Sequence, residues 1–358
     1  MSATPYLSIV AGSRNDDHGG NLLHRMQIFI EGVVAGCDTY GIDAELVLVE
    51  WNPPPDRPRL REALRWPRSS RCAVRIIEVP YAVHARFGTG PALPMHQMIA
   101  KNAGIRRARG QFVLATNIDI VLSAAVWERL ALRDLRADRF YRAERHDVSP
   151  DVPEGAPIAQ QLDFCRAHVL CRHQGDASRD AQGRTQVLIW PPMWQIIAGV
   201  MLSPLSMVPV LRRKTAGARR MLRFIGRYGK LHTNASGDFQ LLAREAWAAL
   251  DGYWEYTGFP LHIDSLLSYA AKFSGLTEEV LPPPAACAYH LDHGKGTGYR
   301  EYNRDAFWSE QEAAGITHLT VEKYVDCIHR LWLGERLEAA TQDAWGLAND
   351  VLLEETLD

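Results

Sequence analysis

The sequence predicts an α/β fold, built on a Rossmann-type, mostly parallel sheet flanked by helices, with insertions in its second half and C-terminal helices. Short apolar runs alternate with helix-periodic stretches over residues 6–122. Each run is closed by Gly, Pro or a cluster of polar residues. A chain of 358 residues that is 47% hydrophobic and 23% charged is also able to bury a substantial core. Folds of this kind often enlarge one sheet by insertion instead of adding a second core, so one elaborated body is expected.

Leu7 to Ala11 reads as the first strand, followed by the polar loop Gly12-Ser13-Arg14-Asn15-Asp16-Asp17 and by helical spacing of apolar residues from Leu22 to Val34. Gly41 ends that helix, and Ala44 to Glu50 forms a second strand stopped by Asn52-Pro53-Pro54-Pro55. A third strand is predicted at Val74 to Val79, a helix from Met95 to Arg107 and a fourth strand at Gln111 to Thr116. Past residue 120 the alternation decays into Arg- and Pro-rich sequence, until a second patterned block runs from His232 to His293. Val321 to Leu353 again has helical spacing. These shifts divide the chain into an α/β half at 1–122, an insertion at 123–231, a returning part of the same domain at 232–300 and C-terminal helices at 301–358.

The charge balance, 40 Lys plus Arg against 42 Asp plus Glu, leaves a net charge of -2 and no broad cationic field, so no nucleic-acid partner is expected. The start Met1-Ser2-Ala3-Thr4-Pro5 has neither the basic opening nor the apolar core of a secretory signal, and a cytoplasmic location is expected. Six scattered cysteines at this length fit reduced thiols, not a disulfide framework.

In parallel sheets ligands bind beyond the carboxyl ends of the strands, where helix N-termini offer unpaired N–H groups to phosphate. The loops at Ser13, Glu50 and Asn117 are therefore expected to meet at one pocket. The most informative segment runs from Lys101-Asn102-Ala103-Gly104 through Ala108-Arg109-Gly110 to Thr116-Asn117-Ile118-Asp119. It resembles the family 2 and related glycosyltransferases of the A-type fold (GT-A), in which such a helix leads through Ala-x-Gly into a strand ending at Asp-x-Asp. The resemblance implies nucleotide-sugar contacts from Lys101, Asn102, Asn117, Ile118 and Asp119, with Asp119 touching a divalent metal that bridges the donor phosphates. Asn117 departs from the family's first acid but retains hydrogen-bonding capacity for a ribose hydroxyl. Taken alone, Asp119 reads better as a strand-capping Asp in a turn.

A second block, Gly237-Asp238-Phe239-Gln240-Leu241 to Arg244 followed by Asp251-Gly252-Tyr253-Trp254-Glu255, resembles the family's Gly-Asp-x-x-Leu-x-x-Arg segment and Gly-Gly-Phe-x-Glu turn. By that likeness Gly237, Asp238, Trp254 and Glu255 line the donor sugar and acceptor. At His262-Ile263-Asp264 inverting members carry the acidic base that takes the acceptor proton, which nominates Asp264 first and His262 second. Asp264 also fits as a helix N-cap before Leu266.

The third block is His290-Leu291-Asp292-His293. Two imidazoles three residues apart are able to converge on one ion. Galactosyltransferase-like members close their metal site with a pair at this spacing, so the resemblance implies Asp119, His290 and His293 as ligands of Mn, with Mg as the alternative. Ser13, Arg14, Asn15 and Glu50 occupy the positions where relatives hold base and ribose of a UDP or GDP donor. The predicted function is metal-dependent transfer of a sugar from a nucleoside diphosphate sugar to an acceptor hydroxyl, on a lipid or a glycan. A sugar nucleotidyltransferase is the rival reading, opposed by the lack of a Gly-rich, Lys-bearing loop after Ala11. A non-catalytic sugar-nucleotide-binding protein is the third, and Asn117 is its one hint.

Two further signals stand apart. Cys165, His168, Cys171 and His173 cluster in sequence but lack Cys-x-x-Cys spacing, so a structural zinc is not expected. Val187 to Leu211 has no charged residue, holds Pro191, Pro192, Pro204 and Pro209, and precedes a run of Arg and Lys that extends to Lys230. Residues 187–230 read either as a peripheral contact with an anionic membrane or as an internal insertion followed by a solvated basic helix.

Overall fold

The computed structural model describes residues 4–175, 177–187, 223–293, 304–337 and 345–357. Its body is the predicted α/β sheet. Strands β1 (Leu7–Ser13), β2 (Ala44–Trp51), β3 (Cys72–Val79) and β4 (Phe112–Ala115) are mutually parallel and lie in the order β4-β1-β2-β3. Every residue of β1 and β2 is buried, because helices cover both faces. Leu7, Ile9, Leu46 and Leu48 face one core together with Met26 and Phe29 of the helix Leu22–Tyr40. Val10, Val47 and Val49 face the other, with Met98 and Ile99 of the helix Gln97–Arg107. Gly104 permits that second packing: a Cβ there would lie 2.5 Å from Val10 Cγ1.

The sheet is completed by strands from later in the chain. Following β5 (Ile120–Leu122), these are β6 (Arg139–Arg142), β11 (Gln240–Ala243), β12 (Thr277–Val280) and β14 (Leu353–Leu357), giving the order β12-β6-β11-β4-β1-β2-β3-β14. β11 runs antiparallel between β4 and β6, and β14 antiparallel along β3. A second sheet of β5, β7 (Glu144–Val148), β8 (Val169–Gln174), β9 (Ala177–Asp180), β10 (Thr185–Val187) and β13 (Cys287–Leu291) has the order β10-β9-β8-β7-β13-β5. The chain crosses from the large sheet to the small one three times, from β4 to β5, from β6 to β7 and from β12 to β13. Those crossings bring side chains from distant stretches to one seam.

Several expectations are corrected. The irregular region past residue 120 contributes β6 to the large sheet and most of the small one. Among the described residues, the expected helical run from Val321 to Leu353 is helical over Val321–Trp332, and Leu353–Leu357 is instead an edge strand. The helix after His262 begins at Ile263, so Asp264 lies in its first turn and the N-cap is His262, with a left-handed φ of 72°. No described helix is long and apolar enough to cross a membrane. Most of the 187–230 stretch, residues 188–222, lies outside the described residues.

Candidate metal and donor site

Asp119 follows β4 at the first crossing, and its backbone carbonyl accepts from Leu291 N–H at 2.9 Å, which draws the end of β13 against it. His290 belongs to β13, and His293 lies two residues past the end of that strand. Their Nε2 atoms lie 3.7 and 3.1 Å from Asp119 Oδ2. Candidate ligand atoms of all three residues fall within 4.8 Å of one another. The sequence-predicted triad is thus assembled.

Two observations test whether this cluster fits a cation. Asp119 Oδ1 and His293 Nδ1 are both buried without a hydrogen-bond partner, a costly arrangement for polar atoms unless something else binds there. The donor set, one carboxylate and two imidazoles, suits manganese or another first-row ion. His290 Nδ1 is held 3.0 Å from Asp147 Oδ1, which leaves Nε2 turned toward Asp119. The residues fit the ion.

Electrostatics favour an ionised carboxylate. Burial opposes the charge on Asp119, but His290, His293 and Arg25 outweigh it and hold the carboxyl far below the usual range. Burial and the Arg145 charge work against a proton on His290, yet Asp119 and Asp147 prevail and keep its pKa above the ordinary value. Arg25 was not anticipated from the sequence. Its Nη1 donates to Asp119 Oδ2 at 2.8 Å, and its Nη2 donates to the carbonyls of His18 and Gly20 at 2.5 and 3.2 Å. This ties the loop after β1 to the seam. Gly19 meets His293 there so closely that a Cβ would sit 2.8 Å from Nδ1, at a φ of 75° that favours glycine.

Beside the triad lies a second polar layer. Asn117 Nδ2 donates to Asp238 Oδ1 at 2.6 Å, while Gln97 donates to Asn117 Oδ1 at 3.0 Å. Arg145 bridges Asp147 and Asp238 at 2.6 and 3.1 Å. Lys101 is fully buried and donates to Gly237 carbonyl at 2.9 Å, and burial pushes its pKa down to about 8. A Cβ on Gly237 would fall 3.1 Å from Asp264 Oδ2, which puts the nominated base next to the same turn. Asp119, Asn117, Gly237, Asp238, Asp264 and Lys101 therefore share one region.

The other candidates lie around it. Arg14 Nε donates to Asn52 carbonyl at 2.8 Å and Asn15 Nδ2 to Pro58 carbonyl at 2.9 Å, so the loops after β1 and β2 meet as predicted. Ser13 pairs in register with Glu50, and its hydroxyl contacts Met26 Sδ. Glu50 Oε1 accepts from Leu60 N–H at 3.0 Å, and burial pushes its carboxyl up to about 7. Ile118 is buried in the core beneath the seam. Asn102 exchanges hydrogen bonds with the backbone of Tyr253 and donates to Glu255 Oε1, clamping the helix Gln97–Arg107 to the 252–255 turn. Glu255 also accepts from Gly346 N–H at 2.6 Å. Trp254 packs on Tyr256, and His262 stacks on Tyr324 at 4.8 Å. A cavity by Trp254, Glu255, Leu267 and Trp345 contains none of the triad in its lining.

No protein-family model matches the chain, and no curated protein matches it in sequence. Solved structures similar to it include the catalytic domain of Drosophila beta1,4galactosyltransferase 7 in complex with xylobiose, at 10% identity and a TM-score of 0.34, covering 88% of this chain and 82% of that one. Another is S. aureus TarS 1-349, at 10% identity and a TM-score of 0.39, covering 92% of this chain and 70% of that one. Both TM-scores lie below 0.5.

Proposed function

We propose that this chain is a glycosyltransferase that moves a sugar from a UDP- or GDP-sugar to an acceptor hydroxyl on a glycan or lipid. The observation that carries the reading is the convergence of Asp119, His290 and His293 at the seam reached by the loop after β1. Asp119, His290 and His293 would hold a divalent cation, Mn in preference to Mg because of the imidazoles. When bound, that ion neutralises charge growing on the departing diphosphate.

The chain's own residues do the rest. Arg25 fixes the Asp119 carboxylate and adds a buried positive charge beside it. Asn117, held by Asp238 and Gln97, presents an amide in place of the family's first acid. Asp264, next to Gly237, is the group that would accept the acceptor's proton. Arg14, Asn15 and Glu50 supply the nucleoside end.

Incubation with a panel of UDP- and GDP-sugars plus manganese, with free nucleotide as the readout, tests this reading. Transfer or slow donor hydrolysis that disappears in Asp119→Asn supports it. Pyrophosphate exchange would instead indicate a nucleotidyltransferase, and binding without turnover a sugar-nucleotide-binding protein.

A further inference from the structure

On the small sheet, β7 and β8 are antiparallel with Asp147 opposite Cys171 and Arg145 opposite His173. Along β8, Val169, Cys171 and His173 are half-buried on one face while Leu170, Arg172 and Gln174 are exposed on the other. The pleat thus gathers a carboxylate, a thiol and an imidazole, whose candidate ligand atoms all lie within 4.8 Å of one another. We propose that Asp147, Cys171 and His173 form a zinc site separate from the Asp119 triad.

Tetrahedral zinc needs ligands roughly 3.3–3.7 Å apart, so side-chain shifts of about 1 Å separate this cluster from a bound geometry. Asp147 Oδ2 and His173 Nε2 are already 2.9 Å apart, and His173 Nδ1 lies 2.6 Å from Ser178 Oγ. In the metal-free chain Nε2–H donates to the carboxylate and Nδ1 accepts from the serine; zinc on Nε2 would place the ring proton on Nδ1, where Ser178 Oγ can accept it. The other carboxylate oxygen is fixed by Arg145 at 2.6 Å and His290 at 3.0 Å, an anchoring that metal-bound carboxylates commonly have. Cys171 is the one cysteine of six that is not fully buried. Burial and the Asp147 charge hold its thiol above the ordinary pKa, and a bound cation reverses that preference, releasing one proton as the Zn–S bond forms.

Sulfur sets the selectivity. Thiolate favours zinc over manganese, whereas the Asp119 triad offers only nitrogen and oxygen. Three protein ligands leave the fourth position to solvent. The four clustered residues of the sequence do not gather as a set: Cys165 is buried in another core and His168 stacks on Phe164. Only Cys171 and His173 reach the site, and the ligand from β7 has no spacing signal.

The test is cobalt titration of the full chain after chelator treatment. Thiolate-to-cobalt charge transfer in the near ultraviolet reports this site alone, since the triad has no sulfur. The absorption should persist in Asp119→Asn, vanish in Cys171→Ser and accompany a zinc affinity at least about 100-fold weaker in Cys171→Ser. No such absorption in the wild type, or one that survives Cys171→Ser, overturns the proposal. Should Cys171→Ser fail to fold, iodoacetamide labelling of the native wild type decides: zinc, but not manganese, protects Cys171 if the site exists, and equal labelling with and without zinc refutes it. Persistence of the cobalt signal in Asp119→Asn keeps this outcome distinct from failure of the glycosyltransferase reading.

Discussion

Arg25 and Asp119, 94 positions apart, form a buried ion pair in which Nη1 lies 2.8 Å from Oδ2 while Oδ1 has no hydrogen-bond partner. One oxygen is neutralised by the protein and the other is left for a cation. Removing the guanidinium in Arg25→Met strands a buried carboxylate, which typically costs about 3–5 kcal/mol. The metal-free variant is expected to melt several degrees lower, and saturating manganese should raise its Tm more than that of the wild type. Thermal unfolding with and without manganese checks this; equal metal-induced shifts contradict it.

Asn117 stands where the Asp-x-Asp motif that this segment resembles has an acid, and its contacts favour the amide. Its amide donates to Asp238 Oδ1 at 2.6 Å, so Asn117→Asp would set two carboxylates face to face. That change should destabilise the fold by about 1–3 kcal/mol near pH 8, and less near pH 5 where the pair can share a proton. Denaturant unfolding at the two pH values measures the difference. Restoring the motif acid is therefore expected to lower activity.

Asp147 acts on the triad through His290 Nδ1, 3.0 Å away. Asp147→Asn should weaken manganese binding about 10–100-fold by loosening the imidazole's orientation. Isothermal titration gives the affinity, and an unchanged value would show that the contact does not position His290.

Glu50 has a folded-state pKa of about 7 against an ordinary 4.5, because it is buried. Between those values the unfolded chain is ionised while the folded one keeps its proton, so stability falls as pH rises through that window. Glu50→Gln removes the loss and should gain about 1–2 kcal/mol at pH 8, with little change at pH 4. Tm profiles of the two proteins, compared from pH 4 to 8, should diverge as pH rises; parallel profiles refute the assignment.

Legibility of the sequence followed the source of each element's stability. β1 and β2 are buried on both faces, so their apolar runs stood out, as did the stripe of Leu22, Met26 and Phe29 in the helix beside them. β7 and β9, which flank β8, carry the polar runs Glu-Arg-His-Asp and Ser-Arg-Asp, and no apolar alternation marks them. The triad was readable because His290 and His293 follow the other motif blocks at ligand spacing. Arg25 was missed although it left a trace, a charged residue within the buried stripe of an amphipathic helix. Asp147 left none: its imidazole partners His173 and His290 come from β8 and β13, and only strand register brings them together.

The proposed glycosyl transfer depends most on a single ion held by Asp119, His290 and His293 near a bound diphosphate. Electron paramagnetic resonance of free manganese, titrated with the chain in the presence and absence of UDP or GDP, tests it directly. One manganese site per chain is expected, tightening with nucleotide and weakening at least about 100-fold in Asp119→Asn and in His293→Ala. Manganese binding indifferent to nucleotide and to both substitutions would contradict it.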